Sequence, residues 1–183
     1  MQHFKRILIA ASASAAVMAT PVIAEDYDGD YALDRAQIED LQGRYLFAMN
    51  WGDFETYAST FTEDGVLDWA RGTVTGRDAI REEAEVLWQL FSGLEAGERP
   101  TSAPKRRHFI ASQVLDIEGD SAVGRAYWYE FDVEMPALQP VILAFGHYED
   151  ELRKVDGKWL FSKRAIYNVI LEGREGSAEN PAW

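Results

Sequence analysis

Apolar residues recur at helical spacing in three segments of the first half of the chain. The first segment predicts a helix that begins at the capping box of Asp34 and Gln37 and ends near Gly52. Asp53 caps a second, short helix, and Thr75 caps a third. The three apolar stripes consist of Ile38, Leu41, Tyr45, Ala48 and Met49, then Phe54, Tyr57, Ala58 and Phe61, then Ile80, Ala84, Leu87, Trp88 and Phe91.

The second half of the chain is rich in strand-forming residues, with turn signals between the runs. A turn at 63–65 and a short strand over 66–69 precede it, and hairpin turns fall at 119–120 and 155–158. The long strands are predicted over 106–117, 121–134, 141–153 and 159–169. Helices followed by strands indicate an α+β fold, in which a strongly bent antiparallel sheet wraps around the first helix and leaves a ligand-sized cavity at its open end.

His108 lies on the first long strand, close to carboxylates of the second. If the strands pair directly from the Gly119-Asp120 turn, His108 lies one position from Glu130 and Asp132; a one-residue change in register would put Glu130 opposite it. A carboxylate partner raises the pKa of an imidazole and fixes its tautomer, which suits a general acid or base. The alternative is a surface histidine beside the basic run 105–107.

The second long strand carries aromatic side chains on both of its faces. Glu130 shares a face with Trp128, whereas Tyr127 and Tyr129 take the other. If the Trp128 face looks inward, Glu130 is a buried carboxylate with a raised pKa near His108. If it looks outward, the two tyrosines line the cavity instead.

Five other positions allow both a structural and a functional interpretation. Tyr45 is either a core residue or a proton donor on the apolar face of the first helix. Either Asp68 or Trp69 must face the cavity, because the two alternate on a short strand. Arg164, if it points inward, needs an anion such as a ligand phenolate or Glu130. His147 is a lone strand histidine, either structural or part of the site.

Composition narrows the possible partners. The 183 residues carry a formal charge of -13, so nucleic acid is not an expected partner. The chain has no cysteine, which excludes disulfides, thiol catalysis and cysteine-bound zinc. No spacing of histidines favours a metal site and no glycine-rich phosphate loop is present, so we expect no cofactor.

The N-terminus has the pattern of a secretory signal peptide. Lys5 and Arg6 precede a short apolar run, and Val22-Ile23-Ala24 resembles a cleavage site. We therefore expect export to the periplasm or the medium, without a stable membrane anchor after cleavage. The expected organisation is a signal peptide over 1–24, a flexible arm over 25–33, one domain over 34–172 and a disordered tail over 173–183.

Short motifs occur in a fixed order over residues 34–170. They are Arg44-Tyr45-x-x-Ala48-x-Asn50-x-Gly52-Asp53, Phe61-Thr62-x-Asp64-Gly65-Val66, Gly76-Arg77-Asp78-Ala79-Ile80, Arg107-His108-Phe109, Gly119-Asp120-Ser121-Ala122, Gly146-x-Tyr148-x-Asp150 and Asp156-Gly157-x-Trp159. Together they resemble the SnoaL-like branch of the nuclear transport factor 2-like superfamily. The resemblance implies a cone-shaped α+β barrel with one deep apolar pocket, and often a homodimer. That superfamily includes ketosteroid isomerase, scytalone and bile-acid dehydratases, polyketide cyclases, a deformylating diarylpropane lyase and binding modules without chemistry.

The resemblance also implies a set of site residues. The motif positions of its dehydratases fall on Tyr45, Asn50, Trp69, His108 and Arg164. Asn50 is a departure, because an Asp is usual there and an amide cannot act as a general base. Trp69 is a second departure, since it stands where the bile-acid dehydratase type has a Tyr.

These observations lead to a principal hypothesis of a cofactor-independent lyase, a dehydratase or a deformylating lyase. In it His108 is the base, oriented by Glu130 or Asp132, Tyr45 donates a proton or steadies an oxyanion, and Arg164 stabilises negative charge. The substrate would be a hydroxylated aromatic or alicyclic small molecule, for example a lignin-derived diaryl compound. The residues expected to bind it are Asn50, Asp68, Trp69, Trp88, Tyr127, Trp128, Tyr129 and His147. The alternatives are a non-catalytic periplasmic binding or assembly module, supported by Asn50, and an isomerase of the ketosteroid type with Glu130 or Asp68 as base.

Overall fold

The computed structural model describes residues 29–92, 103–134 and 139–182. Its elements are α1 (Gly29–Trp51), α2 (Phe54–Ser59), β1 (Phe61–Trp69), β2 (Gly72–Thr75), α3 (Arg77–Ser92), β3 (Arg107–Glu118), β4 (Ser121–Glu134), β5 (Gln139–Val155) and β6 (Lys158–Asn168). The expected signal peptide over 1–24 lies outside the described residues. Among the residues described, no helix combines the length and the apolar character needed to cross a bilayer.

All six strands belong to one sheet, in the order β2-β1-β6-β5-β4-β3. Neighbouring strands are antiparallel except β1 and β6, which pair in parallel. The curled sheet packs its concave face on α1, and the expected α+β class is confirmed. The buried core side chains shared by the helix and the sheet include Ile38, Leu41, Tyr45, Phe61, Leu152, Trp159 and Phe161.

The first helix begins earlier than its capping box predicted. Residues 29–33, expected in a flexible arm, already belong to α1. Asp34 is therefore inside the helix, where its carboxylate accepts hydrogen bonds from Trp159 Nε1 at 3.0 Å and Lys154 Nζ at 2.8 Å. The acidic side chain that resembled a cap fixes α1 to the β5–β6 hairpin instead.

Other boundaries differ because tertiary pairing overrides local turn signals. Residues 63–65, predicted as a turn, lie within β1, at the irregular part of its pairing with β6. Thr75 ends β2, and Gly76 is the residue that precedes α3. Asp53 caps α2 as predicted, since its carboxylate accepts a hydrogen bond from the backbone N–H of Thr56 at 3.1 Å.

The hairpin of β3 and β4 contains a bulge that decides the register at His108. Glu118 pairs with Ser121, as the turn predicts, and regular pairing continues to Val114 opposite Arg125. One extra residue of β3 then intervenes, next to Ser112, whose φ is 52°. Beyond the bulge the register has moved by one position, and His108 lies directly opposite Glu130.

The residues after β6 lie against the barrel. The structure describes 173–182 of the tail that was expected to be disordered. Arg125 donates a hydrogen bond from Nε to the carbonyl of Pro181 at 3.1 Å, and Arg174 reaches back to β1 and β6. A close approach next to this region requires Gly146, where a Cβ would overlap the carbonyl of Tyr167.

Candidate active site

A pocket lies between α1, the concave face of the sheet and the chain that follows β6. The pocket has an open mouth, and its empty volume together with the open space at that mouth is ≈ 700 Å³. Its wall is mainly apolar and aromatic, and carries few polar groups. The polar and aromatic lining side chains are Tyr45, Tyr57, Trp69, His108, Trp128, Glu130, Tyr148 and Asn168.

Asn50 holds His108 through two hydrogen bonds to a single atom. Its Oδ1 lies 3.1 Å from the backbone N of His108 and 2.9 Å from the ring Nδ1. A backbone N–H can only donate, so the Asn50 atom that faces it must be the carbonyl oxygen. The same oxygen then accepts from Nδ1, which must carry a proton. The pair therefore fixes the tautomer with Nδ1–H, and Nε2 keeps its lone pair.

The pKa of His108 is lowered to about 4, first by burial of the ring and then by the positive charge of Arg106. This reverses the expectation that a carboxylate partner raises it. Glu130 is the cross-strand neighbour, but its Oε2 stays 3.9 Å from Nε2, too far for a hydrogen bond. The imidazole is thus neutral at neutral pH, and its unprotonated Nε2 can accept a proton.

Glu130 is a buried carboxylate beside the pocket, as the inward orientation of the Trp128 face predicted. Burial raises its pKa, and the charge of Arg106 opposes that rise. Arg106 Nε lies 3.0 Å from Glu130 Oε1 and 3.3 Å from Asp132 Oδ2, so one guanidinium lies between two carboxylates. Asp132 is therefore attached to Arg106, whereas Glu130 Oε2 is the carboxylate oxygen nearest the imidazole.

Three buried tyrosines form one wall of the pocket. The hydroxyls of Tyr45 and Tyr57 are 2.9 Å apart, so one donates to the other and one hydroxyl proton of the pair is left over. Burial raises the pKa of all three phenols, Tyr148 included. They remain neutral hydrogen-bond donors at physiological pH, which is compatible with the donor role expected for Tyr45.

Arg164 lies behind this wall rather than in the pocket. It is completely buried, and its Nε and Nη2 donate to the two oxygens of Asp150 at 2.8 and 2.7 Å. Its guanidinium carbon is 4.2 Å from the ring centre of Tyr45 and 4.1 Å from that of Tyr148. Arg164 does not line the pocket, and Asp150, not Glu130, supplies its anion.

Two tryptophans form flat apolar walls. Trp128 stacks on Tyr148 with ring centres 6.0 Å apart, and its Nε1 donates to the carbonyl of Tyr167 at 2.9 Å. Trp69, rather than Asp68, faces the pocket, and its buried Nε1 has no hydrogen-bond partner within the described ranges. This indole N–H is a donor available to an acceptor oxygen of a bound molecule.

Six residues predicted to bind substrate do not line the pocket, and one of them, Asn50, holds His108 instead. Tyr127 and Tyr129 lie on the outer face of β4, because the inward face is that of Trp128 and Glu130. Trp88 is buried under α2 against Phe54 and Gly52. The last two are held elsewhere: Asp68 binds Arg174, and His147 stacks on Tyr167 with ring centres 4.5 Å apart.

Other pocket residues were not singled out from the sequence. Tyr57 lies in the predicted stripe of α2, and Tyr148 in the Gly-x-Tyr-x-Asp motif, so both had a detectable signal. Asn168 and Leu171 had none, because Asn168 lies at the end of the strand predicted over 159–169, Leu171 follows that strand, and neither belongs to a motif. Over 29–92, 103–134 and 139–182, no group of three or more His, Cys, Asp or Glu residues is placed to hold a metal ion.

Comparison with known proteins identifies the family and the fold. The SnoaL-like domain family matches residues 30–165, whereas a search of curated proteins gave no match. Among solved structures, the chain is similar to Rv3472 from Mycobacterium tuberculosis, a protein of unknown function, with 28% identity, a TM-score of 0.65 and coverage of 82% of this chain and 80% of that one. An NTF2-like protein with a cystatin-like fold from Novosphingobium aromaticivorans is 22% identical, with a TM-score of 0.62 and coverage of 85% of this chain and 95% of that one. A protein of the same organism, provisionally named a scytalone dehydratase, is 22% identical, with a TM-score of 0.60 and coverage of 82% of this chain and 93% of that one.

Proposed function

The chain belongs to the SnoaL-like domain family, and from that membership we propose that it is an exported, cofactor-independent lyase. The family includes enzymes such as dehydratases and cyclases. The substrate class that we propose is a hydroxylated aromatic small molecule, with a lignin-derived diaryl compound as one candidate. The reaction is dehydration or deformylation by acid/base catalysis in the pocket.

The observation that carries the proposal is the state of His108. A buried imidazole with Nδ1–H bound to Asn50 presents its free Nε2 lone pair next to the pocket. Because its pKa is about 4, the ring is uncharged near pH 7 and only Nδ1 carries a proton. The imidazolium formed during proton transfer is a strong acid that returns its proton readily. A carboxylate at Glu130, 3.9 Å away, would stabilise that cation.

The chemistry balances with His108 as the sole proton carrier. In a dehydration, Nε2 takes a proton from a carbon next to an aromatic ring or carbonyl, a C=C bond forms, and the leaving hydroxyl departs as water with that proton. In a deformylation, Nε2 takes the proton of a hydroxymethyl group, the C–C bond breaks to release formaldehyde, and its electron pair moves toward the ring-bearing carbon. That pair expels the neighbouring hydroxyl, which leaves as water with the proton held by Nε2.

The wall of the pocket supports an aromatic substrate. Trp69, Trp128 and Tyr148 supply flat apolar faces, and no acceptor for the Trp69 N–H lies in the part of the chain that the structure describes. A hydroxyl proton of the Tyr45–Tyr57 pair is a second available donor. A substrate with ring faces and acceptor oxygens, such as a phenol, an ether or a carbonyl, would pair with these donors.

Export and dimerisation are further parts of this proposal. Export is supported by the charged, apolar and small-residue order of residues 1–24. Dimerisation is supported by the outer sheet face, where Phe109 stacks on Tyr129 with ring centres 5.4 Å apart and remains partly exposed. Exposed Tyr127 and Phe145 extend the same apolar surface.

The experiment is a mass-spectrometric screen of the mature chain without added metal or cofactor. Its panel comprises hydroxylated steroids, polyketide-like phenols and lignin-type diaryl diols. Loss of water or formaldehyde from one class should disappear in His108→Gln. The control is Lys163→Gln, which changes an exposed side chain outside the pocket and should leave turnover intact.

Each outcome of the screen has a meaning. A mass change that survives in His108→Gln refutes the assigned base. Tight binding of an aromatic compound without any mass change favours the binding module. A rearrangement without mass loss, detected by chromatography and abolished in Glu130→Gln, favours the isomerase.

A further inference from the structure

The end of β6 and the chain that follows it supply part of the pocket wall. Asn168 and Leu171 line the pocket together with Trp69 and Ala70 of the β1 end. Leu171 is 37% exposed, so its side chain is at the mouth, between the apolar interior and solvent. The residues 168–174 are here called the C-terminal loop.

Hydrogen bonds within the C-terminal loop close it on itself. The backbone N–H of Asn168 donates to the carbonyl of Arg174 at 2.7 Å, and that of Arg174 donates to the carbonyl of Leu171 at 3.0 Å. The N–H of Leu171 returns to the carbonyl of Asn168 at 3.2 Å. The side chain of Asn168 also accepts from the N–H of Ile170 at 3.0 Å. Leu171 is therefore carried by a closed turn with a defined shape.

Arg174 attaches this loop to the barrel. Its Nη1 lies 3.2 Å from Asp68 Oδ1, and its Nη2 donates to the carbonyls of Asp68 at 3.2 Å and Ile166 at 2.8 Å. The guanidinium also lies 5.5 Å from the ring centre of Tyr167. One side chain thus joins β1 and β6 to the loop, at the edge of the pocket.

A second contact fixes the chain just beyond the loop. Gly176 packs on the ring of His147, where a Cβ would lie 2.7 Å from Cε1. The stacked pair of His147 and Tyr167 therefore acts as a platform for this segment. Asp68 and His147, which the sequence suggested as substrate contacts, contribute to the site by holding this wall.

We propose that Leu171 is a specificity-determining residue that limits the size of the molecules the pocket admits, and that Arg174 is the positioning residue that holds it there. The proposal rests on the proposed function only in taking this pocket as the ligand site. Truncating Leu171 enlarges the mouth without touching His108 or Asn50. Removing the Arg174 attachment frees the loop and has the same effect on size selection.

The test measures binding of two neutral aromatic probes of different size. 2-Naphthol has two fused rings, and N-phenyl-1-naphthylamine adds a third ring; both can be titrated by fluorescence. In Leu171→Ala, affinity for the larger probe relative to the smaller should rise about tenfold, the effect of resizing an apolar pocket. The matched control is Ile170→Ala, the adjacent residue, which is 58% exposed and does not line the pocket. Its affinity ratio should stay within about twofold of the wild type.

The role of Arg174 is tested with variants that distinguish loss of the loop attachment from unfolding of the protein. Arg174→Ala should move the affinity ratio in the same direction as Leu171→Ala, and Arg174→Lys should restore it in part because the charge remains. Thermal unfolding shows whether each variant is folded. If Arg174→Ala is unfolded, Asp68→Asn, which removes only the ion pair, replaces it. Equal ratios in the Leu171 and Ile170 variants, or an unchanged ratio in folded Arg174 and Asp68 variants, would overturn the proposal.

These outcomes are independent of turnover. A changed ratio in a protein that converts none of the screened compounds supports the size limit and counts against the lyase. An unchanged ratio in an active enzyme counts against Leu171 alone.

Discussion

Asn50 contacts the ring of His108, and a carboxylate at this position would place a negative charge next to the imidazole. The substitution Asn50→Asp therefore tests how the site sets the pKa of His108. The substitution keeps the acceptor oxygen that binds both N–H groups of His108. It adds a full negative charge beside Nδ1 and changes the shape of the side chain very little. We expect the pKa of His108 to rise strongly.

The size of the rise follows from the distance. The two atoms are 2.9 Å apart, and charges about 4 Å apart interact by about 4 kcal/mol at an effective dielectric constant of about 20. At 1.36 kcal/mol for each pKa unit, this would raise the pKa by about 3. Burial of the new carboxylate offsets part of the gain, so a rise of about 2 remains. The pKa of His108 would therefore move from about 4 to about 6.

Nuclear magnetic resonance titration of the imidazole carbon-bound protons measures this directly. A chain without residues 1–24 keeps only two of the three histidines, His108 and His147. A parallel titration of His147→Gln assigns the signals. A wild-type His108 that titrates near 6.5, or an Asn50→Asp protein in which its pKa stays near 4, would refute the electrostatic account of the site.

Three further predictions concern stability. Because the folded-state pKa of His108 lies below that of an unfolded histidine, the unfolded chain binds protons first as pH falls from about 6.5 toward 4, and stability decreases. Urea unfolding should show that the wild type loses about 2 kcal/mol more than His108→Gln between pH 7 and pH 5; parallel curves would contradict this. Arg164→Met should lower the free energy of unfolding by about 3–5 kcal/mol, because it leaves the charge of Asp150 buried without its partner. Lys163→Met breaks an exposed ion pair and should lower it by under about 1 kcal/mol. Equal losses in the two variants would contradict the buried-pair argument. Gly146→Ala should lower the free energy of unfolding by at least about 2 kcal/mol, since its Cβ would overlap a carbonyl of β6; an unchanged unfolding midpoint would mean that the two strands can separate there.

Much of the fold was predictable because its signals are local. Hairpin turns such as Asp156-Gly157, the stripe of α1 and the cap at Asp53 each follow from neighbouring residues. The failures arose where a distant partner decides the structure. Asp34 matches the sequence pattern of a helix cap, but it lies inside α1 and its carboxylate accepts hydrogen bonds from Trp159 and Lys154.

The site was predictable in its residue types and less so in its geometry. His108, Glu130 and Tyr45 could be selected because they combine chemistry with a position near the cavity. The orientation of β4, the pKa of His108 and the place of Arg164 depend on burial and on the partner Asp150, which no spacing reveals. Leu171 could not be found, because the loop that carries it is shaped by contacts of Arg174.

The bulge near Ser112 has a consequence for how such sites are traced between sequences. A relative that lacks the extra residue would align perfectly from the hairpin turn up to that point and be offset by one residue beyond it. A gap placed elsewhere would align His108 with the wrong position of the relative and suggest a lost imidazole where only the spacing differs. A single insertion or deletion in this strand is also a route by which evolution could exchange the neighbour of the imidazole while every side chain stays the same.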